Sequence, residues 1–190
     1  MADEKTRKID DRPEDEVATA LDEYPNDNHN DPDDMPSAAA AEAARAVSAW
    51  RVAKCLLRLR DQINAKFPDR KKGSDGTIGD TAHCPGSSDH CPNINDDGIG
   101  VVTGMDITHD PAHGLVAGDV AEKLRLSRDP RIKYIISNGR IANFQPLGGQ
   151  PAFAWRPYTG SNPHEKHFHI SVKPGKTGPG GYDTATDWSF

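Results

Sequence analysis

The spacing of apolar residues divides the chain into helical segments and shorter, strand-like ones. Apolar side chains recur at helical intervals over Val47–Ile63, and Pro68 cannot continue the pattern. We therefore predict one long amphipathic helix over about 38–66. A second apolar-periodic segment predicts a helix over 118–128.

The predicted strands are short and concentrated in the second half of the chain. Asn138-Gly139 is a strong signal for a two-residue hairpin turn between two of them. The pattern predicts strands over 101–107, 134–137, 140–144, 153–155 and 166–172. Because they do not alternate with helices, we expect an α+β fold with a small, mainly antiparallel sheet flanked by helices and long loops. Trp188, in the Gly/Pro-rich tail, can pack back onto this body.

Two segments lack apolar periodicity. Residues 1–36 hold thirteen acidic and four basic side chains, a net charge of −9 in a chain of net −6, which leaves +3 for residues 37–190. A segment this polar buries too little surface to offset its ordering entropy, so we predict that it is disordered and serves as a tail, a linker or an address for a partner. Residues 69–104 are predicted to be a long functional loop region with at most short strands.

The composition also excludes some classes of function. No apolar run approaches the roughly 20 residues that span a bilayer, so we expect no membrane insertion. The N-terminus has no apolar core of a signal peptide, which predicts synthesis in the cytoplasm without one. The chain has no basic stripe of the kind that binds nucleic acid.

Histidines supply the most distinctive chemistry. Three of the eight fall within residues 164–169. In a strand, His167 and His169 would project from one face while the residues between and after them face the core. Two imidazoles on one face suit a metal ligand beside an acid/base group, and the best upstream partners are His90 and Asp106. The alternatives are a histidine-rich surface strand and an aspartate that caps a turn.

Three motifs in order carry a resemblance to a known family. They are Ser88-x-His90, Gly104-x-Asp106 and His164-x-x-His167-x-His169. Together they resemble the zinc peptidases of bacterial peptidoglycan, the group of D-Ala-D-Ala carboxypeptidases, penicillin-insensitive murein endopeptidases and L-alanyl-D-glutamate endolysins. The resemblance covers roughly residues 50–190 and implies a domain over 37–190 of Hedgehog/DD-peptidase-like fold, with a catalytic core over about 75–175.

The resemblance also implies a site and an activity. Zinc would be held by His90, Asp106 and His169, and either His164 or His167 would act as general base. The implied reaction is hydrolysis of amide bonds in peptidoglycan stem or cross-link peptides. The enzyme would be an endolysin or a delivered effector that acts on the cell wall after release or delivery. Its acidic tail over 1–36 would then bind a phage or secretion/injection component.

The sequence departs from these relatives at two places. Fifteen residues separate His90 from Asp106, far more than in many relatives, so residues 93–98 would have to loop out. Lys166 stands where some relatives have a catalytic glutamate, and Glu165 would point to the other face of the strand. We therefore favour a histidine base. The alternative function is a weak or inactive peptidase-like module that binds cell-wall peptide or docks on a phage or injection assembly.

Further side chains have candidate roles. Arg156 and Tyr158 precede the histidine run and could bind a peptide carboxylate or a developing oxyanion, or else be a surface cation and a packed ring. Cys84 and Cys91 could hold a structural zinc together with His83, or form a local disulfide.

Overall fold

The computed structural model describes residues 49–77 and 88–190. Within them, two α-helices and two mostly antiparallel sheets form an α+β fold, as predicted. The elements are β1 Ala49–Val52, α1 Lys54–Lys66, β2 Ile94–Asp96, β3 Ile99–Val102, β4 Gly104–Thr108, a 3₁₀ turn Pro111–His113, α2 Ala117–Ser127, β5 Ile132–Ser137, β6 Arg140–Asn143, β7 Arg156–Pro157 and β8 His167–Val172. Neither helix of this part of the chain is long and apolar enough to cross a membrane.

The larger sheet has five antiparallel strands in the order β4-β8-β5-β6-β7. One face of it is covered by the two helices, and the side chains between them form the main core. That core includes Leu56, Leu59, Ile63, Met105, Ile107, Val120, Leu124, Phe168 and Ile170. Burial of each such side chain stabilises the fold by about 1.5–3 kcal/mol, so the helices are held firmly against this face of the sheet. The opposite face is left for polar groups.

Of the predicted helix over 38–66, the structure confirms residues 54–66 and contradicts residues 49–52. Residues 49–52 form β1, which pairs in parallel with β3, and helix α1 begins at Lys54. The strand forms because its hydrogen-bonding partner lies about fifty residues further along the chain, where local periodicity gives no sign of it. Residues 38–48 of the predicted helix, and the predicted disordered tail over 1–36, lie outside the described residues.

The segment expected to loop out forms a hairpin. Strands β2 and β3 pair across Asp97 and Gly98, both of which have positive φ, as a type I′ turn requires. The strand predicted over 101–107 is therefore two strands. The break at Thr103 separates β3, in the three-stranded sheet β1-β3-β2, from β4 in the larger sheet.

Other predicted elements have mixed outcomes. The second helix, the Asn138-Gly139 hairpin and the histidine-rich strand are confirmed. The strand predicted over 153–155 is wrong: Phe153 has a φ of 60° and lies in a turn, and the short strand is Arg156–Pro157. Trp188 does pack back, with 4% of its surface exposed and its indole nitrogen donating to the Cys55 carbonyl at 2.7 Å.

Candidate metal centre

The register between β4 and β8 builds the centre of the site. Asp106 lies directly opposite His169, and Thr108 lies opposite His167. Because directly opposed residues project from the same face of a sheet, both histidines share the face of Asp106. Phe168 belongs to the core on the other face, as the sequence predicted.

Three potential ligand atoms converge on this face. The Nδ1 atom of His169 lies 2.9 Å from Oδ1 of Asp106 and 3.0 Å from Nε2 of His90. The His90 Nε2 atom is 3.5 Å from the same Asp106 oxygen. All three side chains are at most 3% exposed. The structure thus brings together the three residues that the sequence predicted as metal ligands.

A turn before the hairpin holds His90 against the sheet. The Asp89 carbonyl accepts hydrogen bonds from the backbone nitrogens of Thr103 and Gly104. A Cβ atom on Gly104 would lie 2.9 Å from the Asp89 carbonyl carbon, so only glycine permits this approach. Cys91, the next residue after His90, is disulfide-bonded.

The separations fit a tetrahedral metal ion. Metal–ligand bonds of about 2.0–2.1 Å in a tetrahedron give edges of roughly 3.3 Å between ligand atoms. The observed edges of 2.9, 3.0 and 3.5 Å scatter around that value. Two imidazoles and one carboxylate are also the donor types that zinc prefers, so the residues fit the ion that the sequence resemblance implies.

Hydrogen bonds outside the triad orient both imidazoles. The Nδ1 atom of His90 lies 3.2 Å from the Thr77 carbonyl, which can only accept, so Nδ1 carries the proton and Nε2 keeps its lone pair. The Nε2 atom of His169 lies 2.8 Å from the Ser171 hydroxyl, which in turn hydrogen-bonds to Asp89. If the hydroxyl donates to the carboxylate, it accepts from His169 and leaves Nδ1 unprotonated. The lone pairs then face Asp106, an arrangement that a cation stabilises.

A buried ion pair anchors the Thr77 segment. Asp75 accepts from the backbone nitrogen and the hydroxyl of Thr108, and its carboxylate pairs with Arg70 at 2.5 Å. Gly76 also pairs with Asp106 across the outer edge of β4. These contacts place the Thr77 carbonyl beside His90, which explains how a loop residue reaches the site.

The other end of the hydrogen-bond chain carries a positive charge. Asp89 pairs with Lys133 at 2.8 Å. Burial opposes ionisation of Asp89, but the charge and hydrogen bond of Lys133, with the Ser171 hydroxyl, outweigh it and lower the pKa of the carboxyl. Asp89 is therefore an anion, as the network through Ser171 requires.

Two further buried histidines lie beside Asp106. The Nε2 atom of His167 is 3.7 Å from Oδ2 of Asp106. The His164 ring lies 4.8 Å from the His167 ring and 5.8 Å from the His169 ring, measured between centroids. His164 Nδ1 donates to the Asn162 carbonyl at 2.7 Å, which leaves its Nε2 atom as the acceptor. Both candidate bases thus stand within reach of the predicted metal position.

Electrostatics keep Asp106 ionised. Burial disfavours its charge, but attraction from His90 and His167 and a hydrogen bond from His169, which these imidazoles supply when they carry a second proton, are stronger together and hold its pKa well below the usual range. An anionic carboxylate surrounded by four buried imidazoles is the charge pattern of a cation site.

The other candidate residues lie at different distances from the histidine cluster. The Tyr158 ring lies 5.5 Å from the His164 ring, so it borders the site. Arg156 hydrogen-bonds to Asn143 and stands opposite Ile141, which places it on the site face of the sheet near its far edge. Its role and that of Tyr158 in substrate binding stay predictions. Glu165 is exposed and lies outside the metal-binding groups.

The cysteine alternatives are also decided in part. Because Cys91 is disulfide-bonded, it cannot supply a thiolate, and the structural zinc site is wrong for this residue. His83 and Cys84 lie outside the described residues. Cys55 is a free, buried thiol in the core, and burial raises its pKa to about 12.

Sequence reasoning missed the groups that support the ligands. Thr77, Asp89, Lys133 and Ser171 all contribute, and Tyr134 stacks on His169 with ring centroids 5.4 Å apart. Ser171 shares a strand face with His169, and this spacing was the one signal available. The others depend on contacts between distant segments.

Comparison with known proteins adds no further information. No family model, no curated protein and no solved structure matches this chain. The site itself defines a buried constellation of histidines and one aspartate that can hold a metal ion.

Proposed function

We propose that this protein is a zinc-dependent peptidase that hydrolyses amide bonds in bacterial peptidoglycan peptides, acting on the cell wall after release or delivery. The observation that carries the proposal is the convergence of His90, Asp106 and His169 from three separate segments into ligand geometry, with two more histidines beside them. The ordered motifs of the chain resemble those of this peptidase group, and an antiparallel sheet backed by helices is compatible with its Hedgehog/DD-peptidase-like fold.

The residues around the proposed ion divide the chemistry among them. When bound, zinc polarises the scissile carbonyl and makes water acidic enough to attack near neutral pH. His164, whose Nδ1 proton is held by the Asn162 carbonyl, presents a basic Nε2 atom that can accept the proton of the attacking water. His167, whose Nε2 atom lies 3.7 Å from Oδ2 of Asp106, can donate a proton to the leaving amine.

Substrate binding is proposed for the same face of the sheet. Arg156 can pair with a peptide carboxylate, and Tyr158 can donate to the developing oxyanion. A cavity of about 240 Å³ lies beside Tyr134, the residue stacked on His169, and Lys133 and Asn143 also line it. This cavity has the size and polarity to take one substrate side chain.

A second function is supported by one observation. Glu165 and Lys166 are both exposed, so the histidine segment contributes no carboxylate base to the site. A module that binds cell-wall peptide without cleaving it, or that docks on a phage or injection assembly, would tolerate that loss. The four buried histidines favour catalysis over this alternative.

Release of soluble fragments from purified peptidoglycan tests the proposal. We expect release that stops with a chelator, returns with zinc and is absent in His169→Ala. His113→Ala is the matched control, because this exposed histidine lies outside the cluster and pairs with Asp110 at 2.7 Å. Mass analysis of the fragments identifies the bond. Zinc bound at one equivalent with no release from several wall chemistries would replace the peptidase with the binding module.

A further inference from the structure

We propose that the site holds a second, weaker divalent cation, bound by the far side of Asp106 together with His164 and His167, and that this second ion inhibits the enzyme. The inference rests on the proposed function for its inhibitory consequence, although the binding site itself does not. Asp106, His164 and His167 each offer a ligand atom within 4.8 Å of the others, and all three are buried. They form a second triad, which shares Asp106 with the triad of His90 and His169.

Asp106 presents its two oxygens to different partners. Oδ1 lies 2.9 Å from Nδ1 of His169 and 3.5 Å from Nε2 of His90, and Oδ2 lies 3.7 Å from Nε2 of His167. A carboxylate in this orientation can bridge two cations. Bridged pairs in two-metal enzymes stand about 3.5–4 Å apart, a spacing that two triads sharing one carboxylate can provide.

The backbone fixes His164 in position for such a site. Its φ of 55° is a left-handed conformation that is uncommon for residues other than glycine. The chain holds it there through two hydrogen bonds to the β5–β6 turn, from Asn138 to the His164 carbonyl and from Gly139 to the Pro163 carbonyl at 2.6 Å. The Nδ1–H group of His164 donates to the Asn162 carbonyl, so Nε2 is the atom that can bind a cation. This is the tautomer selection that supporting carbonyls give metal-binding histidines.

Charge makes the second site the weaker one. Asp106 is the single carboxylate in the two triads, and it would serve two divalent ions. Repulsion between two cations so close together is incompletely offset by one negative charge, so binding should occur in two steps. We expect the second dissociation constant to be at least about tenfold higher than the first. Because the second ion occupies the histidines that move protons, activity should rise with the first equivalent of zinc and fall with the second.

Titration of the metal-free, full-length protein with Co²⁺ tests the site without reference to activity. We expect two equivalents to bind, with visible absorption growing in two steps. The second equivalent should diminish the paramagnetic resonance signal of the first through magnetic coupling, which a cation elsewhere on the surface would not do. A single equivalent, or a second one that leaves the first signal unchanged, would overturn the inference.

Variants locate the second ion. His164→Gln and His167→Gln should each bind one equivalent and lose the coupling, while His113→Gln should keep both steps. Retention of the coupled second equivalent in both triad variants would also refute the assignment. Two coupled equivalents in a protein that releases no peptidoglycan fragments would contradict only the peptidase proposal. One equivalent in a zinc-dependent peptidase would contradict only the second site.

Discussion

The hydroxyl of Ser171 should control how tightly the centre binds zinc, although it is not a ligand. It lies 2.8 Å from Nε2 of His169 and connects that ring to the buried Asp89 carboxylate. In Ser171→Ala, the His169 Nε2–H group loses its acceptor in a strand that is fully buried. An unsatisfied buried donor costs about 1–3 kcal/mol, and loss of such supporting contacts weakens metal binding roughly 10–100-fold. We therefore expect the zinc dissociation constant to rise by that factor, which corresponds to about 1.4–2.8 kcal/mol.

Competition with a chromophoric zinc chelator measures this change directly. Thermal unfolding with and without zinc separates it from a general loss of stability, because only weaker binding reduces the stabilisation that zinc adds. Ser127→Ala is the matched control: its hydroxyl donates to the Leu124 carbonyl at the end of α2, on the helical side of the core. A zinc affinity in Ser171→Ala within twofold of the wild type would refute the orienting role of the network.

Three other substitutions test the structure. Gly104→Ala places a Cβ atom 2.9 Å from the Asp89 carbonyl carbon, so the melting temperature and zinc affinity should both fall, whereas Gly73→Ala, with open space around it, should leave zinc affinity unchanged. Cys91→Ser removes the disulfide next to His90, the first predicted ligand, and chelator competition should show weaker zinc binding. An unchanged zinc affinity would show that the disulfide does not hold His90 in place. The hydrogen bond from Arg125, assisted by one from Trp155, lowers the pKa of Glu122 to about 2, although partial burial opposes the shift. This folded-state pKa lies below the ordinary value of 4.5, so the stabilisation is complete above pH 4.5 and is lost as the pH falls toward 2. Because Glu122 is well exposed, Glu122→Gln should lower the free energy of unfolding by under about 1 kcal/mol at pH 7. The difference in melting temperature between the wild type and this variant should shrink as the pH falls from 4.5 toward 2. A difference that stays constant over this range would contradict the pairing with Arg125.

Local patterns predicted the elements whose causes are local. The Asn138-Gly139 turn requires positive φ at both positions, and these residue types supply it cheaply. The alternation through His167 and His169 was enough to assign one face of β8. By contrast, residues 49–52 match a helical pattern but form a strand, because pairing with β3 outweighs a weak local preference.

The candidate site shows the same division. The type and spacing of its histidines and aspartate were visible in the sequence, and the structure brings the predicted ligands together. The supporting shell was not visible, since the Thr77 carbonyl carries no side-chain signature and Lys133 reaches Asp89 across the fold. Arg156 was chosen as a candidate because it lies close to the histidine run in sequence. In the structure it lies on the edge strand β7 and not beside the histidine cluster, so closeness in sequence was a poor guide to closeness in space.

The pairing of Asp106 with His169 gives a bound metal ion a role in folding accuracy. A slip of one residue between β4 and β8 would set Phe168 opposite the aspartate and turn both histidines of the strand toward the core. Such a mispaired sheet would have no chelating triad, so an ion would stabilise the native alignment alone. Metal present during refolding should therefore suppress misaligned forms, and the fraction of correctly paired chains should depend on when the ion is added.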